Sequence, residues 1–199
     1  MNGLHALIFD VDGTLAETER DGHRPAFNAA FSEAGLDWHW DEALYQRLLD
    51  VTGGKERIRH FAARFDPAAA ARPCFDDLVR RLHAAKTAHY IRRVEQGQLS
   101  LRPGVARLIG EARRAGIRLA IATTTSPENV GTLLRAGLGP QAATWFAVIG
   151  AGDIVPEKKP APDIYRWVLD RLGLPAAACL AIEDSENGLK SALTAGLRC

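Results

Sequence analysis

Asp10 and Asp12 stand two residues apart at the end of a short apolar run, Leu4 to Phe9, and Gly13-Thr14 follows at once. Glu183 and Asp184 close a similar run, Cys179 to Ile182. Thr123-Thr124-Thr125-Ser126 closes another, Ile117 to Ala122, and Lys158-Lys159 follows the run Phe146 to Ile149. Acid, hydroxyl, cation and acid are the groups that a phosphoryl transfer uses. Asp10 is placed to attack in line and form an aspartyl-phosphate, and Asp12 to protonate the leaving oxygen and then activate water. Gly13 lets the chain turn there, and Thr14 braces the turn. The Thr123 hydroxyl and nearby N–H groups can hold equatorial oxygens at a helix start, while Lys159 offsets charge. Carboxylates gathered this closely repel one another by about 4 kcal/mol per pair at ~4 Å and an effective dielectric of ~20. A Mg²⁺ ion removes that penalty and lets a carboxylate approach a phosphate. A calcium loop is excluded, because the positions that need glycine and glutamate, counted from Asp10, are Leu15 and Asp21.

These residues need elements to bring them together. The four apolar runs read as buried strands. Ser126-Pro127 opens a helix that can reach Gly137, Ala161-Pro162-Asp163 opens one that ends near Gly173, and Asn187 to Ala195 is closed by Gly196. Alternating strands and helices imply an α/β fold, a Rossmann-like parallel sheet with ligands outside the carboxyl ends of its strands. The stretch from about Arg20 to Leu99 breaks the rhythm. It shows helical patterns such as Ala26-Phe27-Ala30-Phe31 and Leu78-Leu82-Ala85, and no convincing strand. The expected organisation is a core of residues 1–18 and 100–199 with an inserted all-helical cap over 19–99. Pro67 to Arg72 is expected to be a loop, and Trp38 and Trp40 to pack within the cap.

The 199 residues carry 47% hydrophobic and 25% charged side chains and a formal net charge of +1, so the balance favours neither nucleic acid nor an anionic membrane. Cys74, Cys179 and Cys199 form no metal-ligand spacing or disulfide framework. No apolar stretch approaches the ~20 residues of a membrane span, and the N-terminal residues lack a signal-peptide pattern. The expectation is a soluble, cytoplasmic monomer.

The four motifs, Asp10-Val11-Asp12-Gly13-Thr14, Thr123, Lys159-Pro160 and Glu183-Asp184, resemble those of the haloacid dehalogenase superfamily, in order and over nearly the whole chain. The helical insertion, Lys159-Pro160-Ala161-Pro162-Asp163 and Glu183-Asp184-Ser185 resemble its β-phosphoglucomutase-like subgroup. Asp10 to Glu19, Thr52 to Ile58, Thr123 to Ser126 and the stretch from Ala151 look like the CbbY proteins of carbon-fixing organisms. That family removes phosphate from xylulose-1,5-bisphosphate, an inhibitor of Rubisco. The resemblance implies Asp10 as nucleophile and Asp12 as general acid/base. It also implies Mg²⁺ on Asp10, the Asp12 carbonyl and Asp184, with Glu183 as a further candidate, and Thr123 and Lys159 on the phosphate. Glu17, His23, Gly54, Lys55, Arg57 and Thr124 are substrate-binding candidates, with the Lys55/Arg57 loop facing a distal phosphate. Relatives continue past the position of Cys199 into another strand and helix, so an open apolar edge is expected beside the Glu183-Asp184 strand.

The leading reading is a sugar-(bis)phosphate phosphatase. A sugar-phosphate mutase, or a domain that binds phosphorylated metabolites without turnover, are the alternatives.

Overall fold

The computed structural model describes residues 3–199. Its sheet has four parallel strands, β1 (Ala6–Phe9), β2 (Arg118–Ala122), β3 (Phe146–Gly150) and β4 (Cys179–Ile182), in the order β3-β2-β1-β4. Every residue of β1 is buried, as expected of a central strand covered on both faces. The register pairs Phe9 with Ile121 on one side and with Ile182 on the other. The residues just after the strands therefore emerge along one edge.

The helices of the α/β region are α6 (Val105–Arg114), α7 (Pro127–Leu138), α8 (Asp163–Leu172) and α9 (Glu186–Thr194). Their ends follow local chemistry. The Ser126 and Ser185 hydroxyls accept from the backbone N–H groups of Asn129 and Gly188, and Gly173 ends α8 in the left-handed region. Alternate residues of the strands feed two clusters on opposite faces. Leu7, Phe9 and Ile121 meet α6 and α7; Ala6, Ile8 and Ala120 meet Ile164, Tyr165 and Val168 of α8.

Between β1 and α6 the chain is helical. A π-helical turn (Glu19–His23) leads into α1 (Arg24–Glu33), followed by α2 (Glu42–Leu48), α3 (Gly54–Phe65), α4 (Pro67–Ala70) and α5 (Phe75–Glu95). These helices have their own core, in which Phe27, Phe31, Trp40 and Phe61 pack ring against ring. Trp38 joins it and donates its indole N–H to Asp66 at 2.9 Å. The stretch 67–72 is not simply a loop: Asp66 caps a short helix by accepting from Ala69 N, and Pro67 suits the first position. On the outer side of β4, Arg198 forms a parallel bridge to Leu180, its carbonyl accepting from Ala181 N–H at 2.8 Å. Leu189 and Leu193 of α9 are among the exposed large apolar side chains.

Candidate active site

Asp10 immediately follows β1, and its backbone N–H donates to the Ile182 carbonyl, which ties it to the end of β4. Thr123 follows β2, and its N–H donates to the Gly150 carbonyl. Both residues are buried, as is Lys159. The Lys159 ammonium is fully engaged: it donates to Asp10 Oδ1 at 2.6 Å, Glu183 Oε1 at 2.5 Å and the Ala122 carbonyl at 2.8 Å. Three donors meet three acceptors. Beneath it lies the Tyr165 ring, whose hydroxyl also donates to Glu183 Oε1.

Oxygen atoms of Asp10, Glu183 and Asp184 lie within 4.8 Å of one another. Burial pushes the Asp10 carboxyl up to about 8, against the pull of Lys159, with Glu183 and Asp12 adding to the rise. Asp184 is also raised, first by burial and then by Glu183, although Thr14 donates to its Oδ1 at 2.9 Å. Glu183 Oε2 is buried without a hydrogen-bond partner. An all-oxygen set with surplus negative charge and an orphaned carboxylate oxygen fits a hard divalent cation such as Mg²⁺. The carboxylates of Asp10, Glu183 and Asp184 are the group that would hold it. The Asp12 carboxylate stands outside this cluster, leaving its carbonyl as the atom Asp12 can offer.

Gly13 has φ +88°, and a Cβ there would collide with the Asp184 carboxylate. Gly13→Ala should therefore suffer twice, from left-handed strain and from displacement of Asp184. Gly35 has φ +67° with nothing within 4 Å of the added carbon, so Gly35→Ala carries the strain alone. Urea unfolding should show a loss of about 1 kcal/mol for Gly35→Ala and distinctly more for Gly13→Ala. Mg²⁺ binding by calorimetry should weaken only in the latter. Equal losses with unchanged Mg²⁺ binding would rule out the Gly13–Asp184 contact as the reason for the glycine.

Asp12 points the other way. Its Oδ1 accepts from Thr18 Oγ1 at 2.6 Å and lies 2.9 Å from His23 Nε2. Burial alone would raise its pKa; His23 and Thr18 outweigh that and hold it below the usual carboxylate range. His23 stacks on Tyr90 at 4.3 Å. The cleft formed with these groups has a volume of about 110 Å³. Asp10, Asp12, Thr123, Thr124, Lys159 and Asp184 line one side, with Glu19, Leu49, Thr52 and Arg57 of the helical segment on the other.

The substrate-binding candidates divide. His23 and Arg57 reach the cleft region with Asp12, and Gly54 borders the same space. Arg57 is buried and spends Nη1 on the Tyr45 hydroxyl and Nε on the Leu48 and Val51 carbonyls, with Glu19 at 3.6 Å. Lys55 does not line the cleft. It borders an adjoining chamber of about 440 Å³ with Gly54, Thr124 and Lys158, and pairs with Asp153 at 2.7 Å. Glu17 is exposed and ion-paired with Arg102; it does not line the cleft but borders an adjoining cavity with Glu19, Leu49 and Asp184.

Glu19, two residues on, takes a cleft position and accepts from the Tyr45 hydroxyl. It was within reach of sequence reasoning, since both glutamates follow the first motif, but only the π-helical turn selects one. Lys86 is a second addition, buried against the Phe27 and Tyr90 rings and bordering the space with Asp12, Glu19 and His23. Burial pushes it down to about 8, although Asp12 and Glu19 favour its charge. A lysine on a long amphipathic helix carries no sequence signal that separates it from a solvated one.

The haloacid dehalogenase-like hydrolase profile matches residues 4–196. The chain belongs to the haloacid dehalogenase-like hydrolase family. It is 56% identical over 194 residues to CbbY of Cupriavidus necator, covering 98% of this chain and 76% of that protein. CbbY from Rhodobacter sphaeroides in complex with phosphate superposes with a TM-score of 0.90 at 52% identity, covering 98% of this chain and 84% of that one. A mutant of the same protein in complex with xylulose-(1,5)bisphosphate gives 0.91 at the same identity and coverage. The chain is thus a homologue of the family's phosphatases and closely related to CbbY. Among the described residues, no helix is long and apolar enough to cross a membrane.

Proposed function

We propose that the protein is a Mg²⁺-dependent phosphatase that hydrolyses xylulose-1,5-bisphosphate through an aspartyl-phosphate on Asp10, with the helical segment 19–99 acting as a cap. The carrying observation is the Asp10 carboxylate, buried and 2.6 Å from the Lys159 ammonium in a cleft that also holds Asp12 and Thr123. Asp10 attacks phosphorus in its ionised form as the bond to the sugar oxygen breaks. Asp12, ionised in the ligand-free site, takes up a proton when the substrate's negative charge offsets the pull of His23, and gives that proton to the leaving oxygen. Water then attacks the aspartyl-phosphate and Asp12 takes up a proton, restoring Asp10 and releasing phosphate. Lys159 and Thr123 hold the phosphoryl oxygens during both steps. When bound, Mg²⁺ supplies charge neutralisation between the carboxylates and the phosphoryl group.

The bisphosphate assignment is supported by the relative crystallised with that compound and by the chamber beside the cleft, which Lys55 and Lys158 border together with Asp153 and Glu128. Lys55 serves the distal phosphate; Arg57, Glu19 and His23 face the sugar between the two ends. A release assay over sugar mono- and bisphosphates, with xylulose- and ribulose-1,5-bisphosphate side by side, tests the substrate. Release should require Mg²⁺ and stop with EDTA. Lys55→Ala should raise the bisphosphate KM about tenfold, a loss of the size expected for one charge-assisted contact, and change monophosphate KM little. Equal effects on both would remove Lys55 from the distal site. Isomerisation of an aldose phosphate without release would favour a mutase.

A further inference from the structure

Leu49 and Thr52 overhang the cleft from the cap side, and the loop that carries them, residues 49–53, runs into α3. The α/β core grips this loop from two sides. On one, Asn187, the second residue of α9, donates from Nδ2 to the Asp50 carbonyl and to Thr52 Oγ1, each at 3.2 Å. On the other, Asp153, in the loop after β3, accepts from Lys55 at 2.7 Å and from Lys158 at 2.6 Å. Lys158 lies 3.7 Å from Glu56. Cap and core charges therefore alternate: Lys55 and Glu56 on α3 face Asp153 and Lys158 beneath. Gly53 makes the close approach possible. Its φ is +97°, and a Cβ there would collide first with the Glu56 carboxylate and also come within 2.9 Å of the Lys158 side chain.

The two grips differ physically. The Asn187 contacts are hydrogen bonds to a carbonyl and a hydroxyl. The Asp153 side chain is 56% exposed and Lys55 31%, so their attraction is open to screening by salt. Hydrogen bonds from Lys158 and Lys55 hold the Asp153 carboxyl down to about 2, which keeps it ionised at ordinary pH.

We propose that Asn187 and Asp153 are positioning residues, the two halves of a clasp that holds the cap loop 49–53 and the start of α3 closed over the cleft, and that only the Asp153 half weakens with salt. Asn187 borders the cleft and Asp153 the chamber, and in this role each acts through the loop it holds rather than on substrate. They keep Thr52 and Leu49 above the phosphoryl site and Lys55 at the neighbouring chamber. The clasp rests on the cap reading of 19–99 and is independent of which phosphate ester is cleaved.

Hydrogen exchange of the ligand-free, full-length protein tests it, read over 49–57 with β1 and β2 as internal reference. Wild-type exchange in 49–57 should rise about threefold between about 50 and about 500 mM NaCl, the scale of an exposed ion pair. Asp153→Asn should show that rise already at low salt and lose the salt response, while Asp153→Glu keeps wild-type behaviour. Asn187→Ala should exchange faster yet keep the salt response. Lys55→Met combined with Asp153→Asn should be no faster than Asp153→Asn alone. Unchanged exchange in both Asp153→Asn and Asn187→Ala, or an equal rise in β1 and β2, would overturn the clasp. With a turned-over phosphate ester, the same two variants should raise KM with kcat within about twofold. A wild-type protein without phosphatase activity would count against the proposed function and leave the exchange result to decide the clasp.

Discussion

Asp10→Asn should abolish phosphate release, lowering kcat by about 10⁴-fold or more, because the amide cannot form the aspartyl-phosphate. Bound sugar bisphosphate should then remain intact and be recoverable by mass spectrometry after rapid desalting. Full turnover by this variant would sink the mechanism. The same substitution changes how stability depends on pH. Burial raises the Asp10 carboxyl from 3.8 to about 8 in the folded, metal-free protein, so the native state binds a proton more tightly than the unfolded chain does. Stability from this group is greatest in acid and is lost as pH rises from about 4 to about 8, with a slope of at most about 1.4 kcal/mol per pH unit. Asp12, held below its usual range, works in the opposite direction: its contribution is present above about 4 and lost in stronger acid. Metal-free wild type should therefore lose thermal stability between pH 5 and pH 8 relative to Asp10→Asn. Mg²⁺ should restore more of it at the higher pH. Parallel Tm profiles for the two proteins would show that Asp10 is not the buried group responsible.

Lys159→Met should be the most damaging single change to the site's stability. Methionine keeps the length of the side chain but removes the charge from a group that touches Asp10, Glu183 and the Ala122 carbonyl. Two buried carboxylates would lose their cation, and breaking a buried pair of this kind costs about 3–5 kcal/mol. Urea unfolding in EDTA should report that loss. Added Mg²⁺ should recover part of the stability, since it supplies positive charge to the same acids, but not turnover. The phosphoryl oxygens would still lack the ammonium, a defect worth about 10²–10³-fold in kcat. A Lys159→Met protein as stable as wild type without metal would contradict the charge balance described here. A variant with normal kcat would remove Lys159 from the reaction.

The amino-acid order was enough to place the reacting groups along the sheet. Apolar runs of four to six residues, three ending in acid or hydroxyl and one leading on to Lys158-Lys159, have one economical arrangement: buried parallel strands with their functional residues at the carboxyl edge. Capping residues Ser126 and Ser185 mark where α7 and α9 begin, because a side-chain oxygen before an apolar helical pattern answers a need local to the chain. The Asp10/Glu183/Asp184 cluster and the Lys159 partners follow from that placement. The resemblance to the haloacid dehalogenase family rested on the same residues.

Position within the helical segment was a different matter. Helical periodicity says which face is apolar, not which of two nearby glutamates a π-helical turn will direct inward, and so it does not separate Glu19, which lines the cleft, from Glu17, which borders the adjoining cavity. Nor does it say that Lys86 will be buried between aromatic rings, or that Lys55 will be tied to Asp153 across ninety-eight positions of chain. These depend on packing between distant segments, whose energies are comparable for many alternative pairings until the whole core forms. The chemistry of Asp10 was therefore legible from its own neighbours in the chain. The walls, the roof and the clasp that surround it were decided by the tertiary structure alone.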